Sequence, residues 1–142
     1  MIFMREAKAY ISRLDVSYKD LMAVADLIRY RTVKEAFELL EKAKNKDIFV
    51  PYRKNNKKMG HRKHGIKGRY PIKAVKHMIK ALKSCVANAK NKGLAEDNLI
   101  ISHLSIKKGP IYYRIQPKGK PYTHRLVYAS IDIKVSDNVR NN

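Results

Sequence analysis

The side chains of this sequence that could do chemistry are mainly lysines and arginines gathered between residues 45 and 125. That stretch holds 21 Lys and Arg against 3 acids, whereas residues 1–44 hold 9 against 7 and residues 126–142 hold 2 against 2. The formal net charge of +20 is therefore a local property of the middle of the chain. Each phosphate that pairs with a Lys or Arg releases condensed counterions, so this stretch predicts a nucleic-acid partner.

Residues 45–70, here called the basic loop, form the first candidate binding segment. They contain nine Lys or Arg and one acid, and they show neither a helical nor a strand period. Long loops in compact domains tend to be functional, and we expect this one to be mobile until an anionic partner binds it. The side chains predicted to bind RNA here, with one lysine just beyond the loop, are Arg53, Lys54, Asn55, Asn56, Lys57, Lys58, His61, Arg62, Lys63, His64, Lys67, Arg69 and Lys73.

Residues 107–125, here called the hairpin tip, form the second candidate segment. They contain six Lys or Arg, no acid, three Tyr and three Pro. The distal part has too little aliphatic material to bury itself, so we expect it to project from the fold. The residues of the tip predicted to bind RNA are Lys107, Lys108, Tyr112, Tyr113, Arg114, Lys118, Lys120 and Arg125.

Tyrosines interleave with these cations and would offer stacking faces to unpaired bases. No recognition helix for a regular DNA groove stands out, and an irregular loop with an extended arm suits irregular RNA better. The sequence therefore favours RNA over DNA. The tyrosines assigned this stacking role are Tyr52, Tyr70, Tyr112, Tyr113 and Tyr122.

Other kinds of site have little support in the sequence. Residues 60–67 have the glycine spacing of a phosphate-binding loop, but Ile66 stands where its lysine must be. A zinc site needs four ligands, and only Cys85 could add sulfur to the histidines. The adjacent acids at residues 96–97 fit turn chemistry better than acid–base catalysis. We therefore predict no catalytic residue, no metal and no cofactor.

The composition is that of one soluble domain spanning residues 1–142. A single cysteine excludes an internal disulfide and fits a reducing compartment. No apolar run reaches bilayer-spanning length, and the first residues lack the apolar region of a signal peptide, so we expect an intracellular protein.

Hydrophobic periodicity outlines the elements that must hold the two basic segments. The most regular pattern is a helix between Pro71 and Gly93, with one apolar stripe that we expect to cover a sheet rather than lie on a membrane. The other predicted elements are a strand near residues 7–12, helices capped by Ser17 and Thr32, and two strands at residues 99–106 and 126–135 that form a long hairpin.

Several motifs of this chain resemble those of the ribosomal protein L22 family, which is counted as the seventeenth large-subunit protein in eukaryotes. The resemblance covers about residues 5–136, and the order and spacing match the archaeal and eukaryotic branch. The motifs are KNNKKMGHR at residues 54–62, GRYPIKA at 68–74, ANA at 87–89, KGL at 92–94 and DNL at 97–99.

The resemblance implies an α+β fold with three helices packed on a small three-stranded antiparallel sheet and a long protruding β-hairpin. It also implies a structural constituent of the large ribosomal subunit in the cytoplasm. Its implied partners are large-subunit rRNA, neighbouring large-subunit proteins and, transiently at the hairpin tip, the nascent peptide in the exit tunnel. No membrane and no homo-oligomer are implied.

Three other functions are compatible with a cationic chain. The first is a free-standing RNA-binding or RNA-chaperone protein with the same chemistry. A membrane-active cationic protein is the second, and an enzyme is the third, although the sequence shows no nucleophile beside a base.

Overall fold

The computed structural model of the chain describes residues 5–119 and 121–137. Residues 1–4, where the sequence predicts no signal peptide, and Lys120 of the hairpin tip lie outside the described residues. Three helices and a small antiparallel sheet form an α+β fold, which confirms the predicted fold class. In chain order the elements are β1 (Glu6–Leu14), α1 (Tyr18–Ile28), α2 (Val33–Lys44), β2 (Val50–Pro51), β3 (Gly68–Arg69), α3 (Ile72–Asn91), β4 (Leu99–Ile115) and β5 (Thr123–Asp137).

The main sheet has three antiparallel strands in the order β1-β5-β4, so the last strand of the chain lies in the centre. Because side chains alternate along a strand, one face of the sheet is apolar. Ala7 and Ala9 of β1 lie opposite Val135 and Ile133 of β5, and all four are buried. The alternation predicted for residues 126–135 therefore sets which face meets the helices.

Helix α3 covers this apolar face. Its stripe includes Met78, Leu82 and Cys85, which are buried in one core together with residues of β1 and β5. The Sγ atom of Cys85 lies 3.5 Å from the carbonyl oxygen of Ala7, a close approach that a small side chain on β1 permits. The stripe thus packs in the core, as predicted. Within the described ranges, no helix is long and apolar enough to cross a bilayer.

Local capping explains where the helices begin and end. Helix α2 begins after Thr32, whose Oγ1 accepts a hydrogen bond from the backbone N–H of Glu35 at 3.4 Å. Helix α3 ends before Gly93, whose φ of +73° lies in the left-handed region that favours glycine. Ser17 occupies the predicted N-cap position of α1, but its side chain accepts no hydrogen bond from that helix.

Side chains of α3 and of the residue that follows α1 contact the two outer strands of the sheet. The amide Nδ2 of Asn88 on α3 donates to the Lys8 carbonyl of β1 at 2.9 Å. At the other edge, the guanidinium of Arg29 donates to the Leu104 carbonyl of β4 at 3.1 and 3.2 Å. Unpaired strand edges can pair with other chains, so these contacts limit edge-to-edge association.

The hairpin of β4 and β5 is longer than its apolar pattern predicts. The two strands run to Ile115 and begin again at Thr123, so the predicted outer ends at residues 106 and 126 are wrong. The ladder continues because backbone pairing does not require apolar side chains. Buried apolar residues stop at Ile106 on β4 and resume at Ala129 on β5, so the outer hairpin projects beyond the core.

We predict that the thiol of Cys85 is unreactive in the folded chain. It is buried between α3 and the sheet, and burial raises its pKa to about 11, so the reactive thiolate is scarce at pH 8. An aromatic disulfide reagent at pH 8 should label the chain slowly in buffer and should label its one cysteine rapidly in denaturant. Rapid labelling in buffer would contradict the packing of α3 on β1.

Candidate RNA interface

The base of the basic loop is more regular than the sequence predicts. Strands β2 and β3 pair antiparallel, with Val50 opposite Arg69. The backbone N–H of Tyr52 donates to the Lys67 carbonyl at 3.0 Å and extends this pairing. The prediction of an irregular segment throughout is therefore wrong at the base, because a two-residue strand is too short to show a sequence period.

Tyr52 anchors the loop to helix α1. Its side chain is 4% exposed, and its hydroxyl donates to Oδ1 of Asp20 at 2.6 Å. Burial, followed by this hydrogen bond, raises the pKa of Tyr52, so the phenol stays protonated and remains a donor. The prediction that Tyr52 stacks on RNA bases is wrong, because its ring is enclosed in the core.

Beyond this anchor the predicted RNA-binding side chains are exposed, except for the half-buried Asn56. Within residues 5–119 and 121–137, no Lys or Arg of the basic loop forms an ion pair with a carboxylate. The loop therefore presents its positive charge without neutralising it. The exposed members of the predicted set are Arg53, Lys54, Asn55, Lys57, Lys58, His61, Arg62, Lys63, His64, Lys67 and Arg69.

Two of these cations also hold the loop in shape. Nε of Arg62 donates to the Gly68 carbonyl at 3.3 Å, and the guanidinium carbon lies 5.2 Å from the centroid of the Tyr70 ring. Nζ of Lys67 donates to the Asn56 carbonyl at 3.4 Å. A neutral carbonyl or ring does not cancel the charge of the cation, so both residues keep their attraction for phosphate.

Lys73 extends the cationic surface onto the first turn of α3. Its Nζ lies 3.3 Å from Oδ2 of Asp15, and both side chains are largely exposed. A surface pair of this kind contributes little to stability, so it does not prevent a phosphate contact. One turn further on, burial and then the charges of Lys73 and Lys80 lower the pKa of His77, which favours its neutral form at pH 7.

The hairpin tip separates into a basal and a distal part. At the base, Nζ of Lys107 lies 3.5 Å from Oδ2 of Asp132, and Nζ of Lys108 lies 5.4 Å from the ring centroid of Tyr18. These two lysines therefore contact the folded core, unlike the distal residues. The other described members of the predicted set are exposed on the projecting part: Tyr112, Tyr113, Arg114, Lys118 and Arg125.

Both faces of the distal hairpin mix cationic or imidazole groups with apolar groups. Side chains directly opposite in an antiparallel ladder share a face. Tyr113 lies opposite Arg125 on one face, and Arg114 lies opposite His124 on the other. Tyr112 also packs edge-on against Tyr128, with ring centroids 5.6 Å apart.

Three exposed apolar residues of the outer hairpin are not among those that the sequence predicts to bind RNA. Ile111, Ile115 and Leu126 are 40%, 74% and 46% exposed. The sequence does indicate a strand here, because the apolar or aromatic residues 111, 113 and 115 recur at every second position, which is the period of a strand. The pattern could not show that this strand has no core beneath it.

The other residues that could do chemistry are the histidines, Cys85 and the adjacent acids at residues 96–97. Within the described ranges, no group of three or more His, Cys, Asp or Glu side chains could hold a metal ion. Glu96 forms an ion pair with Lys90 at 2.5 Å, and Asp97 forms one with Lys34 at 2.6 Å. The hydrogen bond from Lys34 lowers the pKa of Asp97. Both acids therefore have structural partners, in agreement with their prediction as turn residues.

Known proteins with similar sequences are ribosomal. The family model described as ribosomal protein L22p/L17e matches residues 9–136. A relative from Archaeoglobus fulgidus, named large ribosomal subunit protein uL22, is 35% identical over 81% of this chain and 76% of its own length. The proteins of the same name from Staphylothermus marinus and Ignicoccus hospitalis are 34% and 38% identical, over 94% and 81% of this chain and 91% and 76% of their own lengths.

We predict that Tyr52→Phe lowers the free energy of unfolding by about 1–2 kcal/mol, because it removes the buried hydroxyl donor from the Asp20 carboxylate. Denaturant unfolding at pH 7 would measure the loss. Since the pKa of Tyr52 is raised in the folded chain, its stabilising effect is complete below the ordinary pKa of about 10 and is lost as the pH rises above it.

The control for this prediction is Tyr113→Phe, because Tyr113 is 64% exposed on the projecting hairpin. Its unfolding free energy at pH 7 should match that of the unmodified chain. Equal stability of both variants would show that the hydroxyl of Tyr52 does not hold the loop.

Proposed function

The chain belongs to the ribosomal protein L22p/L17e family, and we propose that its basic loop and hairpin tip bind rRNA as part of the large ribosomal subunit. Members of this family are structural constituents of that subunit. In this proposal the chain neutralises RNA phosphates and holds RNA segments together, and none of its residues is assigned to catalysis. The location that follows is the cytoplasm, where ribosomes translate.

The uncompensated charge of the basic loop is the observation that carries this proposal. Elsewhere in the described chain, several exposed lysines pair with acids, as Lys34 does with Asp97 and Lys90 with Glu96. The loop has nine Lys and Arg and one acid. When RNA phosphates meet such a surface, condensed counterions are released from the RNA. This release contributes a favourable free energy of binding.

The loop is placed for this task by its attachment at both ends. Tyr52 fixes the entering strand to α1, and the leaving strand runs directly into α3 through Pro71. The cations between these attachments are held near one another, so less conformational entropy is lost when RNA orders them. The distal segment between residues 53 and 66 has few internal backbone hydrogen bonds, and RNA contacts would order it.

The hairpin tip supplies the second arm. Its distal residues are exposed on both faces and combine Arg and Lys with tyrosine rings. A two-faced arm of this composition fits between RNA segments, where phosphates meet the cations and bases stack on the rings. In the subunit this arm would reach the nascent-peptide exit tunnel, next to rRNA, neighbouring ribosomal proteins and the passing peptide. One copy of the chain per subunit suffices for this arrangement.

We predict that replacing Lys54, Lys57 and Lys58 together by Gln weakens binding to large-subunit rRNA and flattens its salt dependence. Each lost phosphate contact should reduce the slope of log affinity against log salt by about 0.7–0.9, so three lost contacts give a change of about 2 or more. Filter binding over a range of KCl concentrations would measure the slope.

The matched control replaces Lys34, Lys42 and Lys44 by Gln, which removes the same charge from helix α2. Two of these lysines already pair with carboxylates, so the slope should change little. Equal changes in the two triple variants would mean that total charge matters and the basic loop does not.

We further predict that the hairpin tip is needed for the ribosomal role but not for folding. Replacing residues 111–127 by an Asn-Gly turn removes no residue of the buried core, so the melting temperature should stay within about 2 °C of the unmodified value. The truncated chain should then bind poorly to large subunits in a sucrose gradient at moderate salt, because one arm is missing.

The unmodified chain is the control in the same gradient and should stay with large subunits. If it leaves them at moderate salt and binds RNA alone, the chain acts as a free RNA-binding protein. If the truncated chain remains bound as firmly as the unmodified chain, the hairpin tip has no part in the attachment.

A further inference from the structure

We propose that a groove beside the base of the basic loop binds one unpaired guanine base of the RNA. This inference rests on the proposed RNA-binding function and assigns a base-specific contact to part of that surface. The groove has a volume of about 280 Å³ and is lined by Asp47, Ile48, Phe49, Arg62, Lys63 and Tyr70.

The wall of the groove is aromatic and is fixed by close packing. The ring of Phe49 lies so close to Gly68 that a Cβ atom there would overlap it. The Gly68 carbonyl accepts the hydrogen bond from Arg62, whose guanidinium lies over the Tyr70 ring. Phe49 and Arg62 therefore both contact Gly68, and the guanidinium of Arg62 joins the Tyr70 ring to this cluster. Flat groups of this kind are the surfaces on which proteins stack unpaired bases.

Asp47 supplies the feature that distinguishes this groove from the rest of the loop. It is the one acid among residues 45–70, and no ion pair within the described part of the chain involves it. Its backbone is fixed, because its N–H donates to the Lys42 carbonyl at 2.9 Å at the end of α2. A carboxylate repels phosphate, so the side of the groove that it lines suits a base edge rather than the RNA backbone.

The hydrogen-bonding capacity of a carboxylate selects guanine. An ionised Asp only accepts hydrogen bonds, and its two oxygens can accept two parallel N–H donors. The Watson–Crick edge of guanine offers an imino N–H and an adjacent amino group. Adenine and cytosine each offer one amino group there, and uracil offers one imino N–H. Arg62 and Lys63, on the same groove, can meet the phosphates that flank the bound nucleotide.

The test measures binding of the full-length chain to short uridine oligonucleotides that differ in one central nucleotide. Fluorescence anisotropy at low salt would compare guanosine, inosine, adenosine and uridine at that position. The guanosine oligonucleotide should bind about tenfold more tightly than the adenosine and uridine ones. Inosine lacks the amino group of guanine and should fall between them.

Asp47→Asn is the diagnostic variant, because it keeps the size of the side chain and removes its charge. It should reduce the preference for guanosine to about twofold or less, while binding to the all-uridine oligonucleotide stays equal or tightens slightly. The matched control is Glu38→Gln, which removes one exposed acid from α2. It should keep the preference of the unmodified chain.

Two results would overturn the guanine site while leaving RNA binding intact. One is equal affinity of the unmodified chain for all four oligonucleotides, and the other is an unchanged preference in Asp47→Asn. Absence of binding to every oligonucleotide at low salt would be a different failure, because it would overturn the proposed RNA-binding function together with this site.

Discussion

One constraint governs this structure: the chain does not neutralise its own positive charge. The described acids are mostly used elsewhere, in pairs such as Glu96 with Lys90 and Asp132 with Lys107. The basic loop keeps a large excess of cations, and like charges held together repel one another. A polyanion removes that repulsion, and in the proposed function this polyanion is the rRNA of the large subunit.

The folded core holds the bases of two cationic arms in place. One arm is tied through the buried Tyr52 and its hydrogen bond to Asp20. The other continues the ladder of β4 and β5 outward from the last buried residues, Ile106 and Ala129. In both arms the backbone is attached by contacts to the core while the side chains remain exposed. This separation allows a small core to support an extended surface that is rich in exposed cations.

The fold was predictable where side-chain burial is periodic, as in helix α3 and the inward residues of β5. It was not predictable where backbone pairing alone makes the structure, as in the outer hairpin and the two-residue strands β2 and β3. The exposed cationic surface that is proposed to bind RNA could be located from local charge. The burial of Tyr52 was not predictable, because the cations Arg53 and Lys54 follow it directly and its partner Asp20 is 32 residues away. The aromatic wall around Gly68 likewise joins residues that are separated along the chain.

The most direct test of this account is amide hydrogen exchange of the basic loop, measured in the free chain and in the large ribosomal subunit. Residues 53–66 should exchange quickly in the free chain, because few of their amides have backbone partners. In the subunit the same amides should be protected, whereas helix α3 should be protected in both states. Slow exchange of residues 53–66 in the free chain, or equal exchange in both states, would contradict the claim that RNA completes this part of the structure.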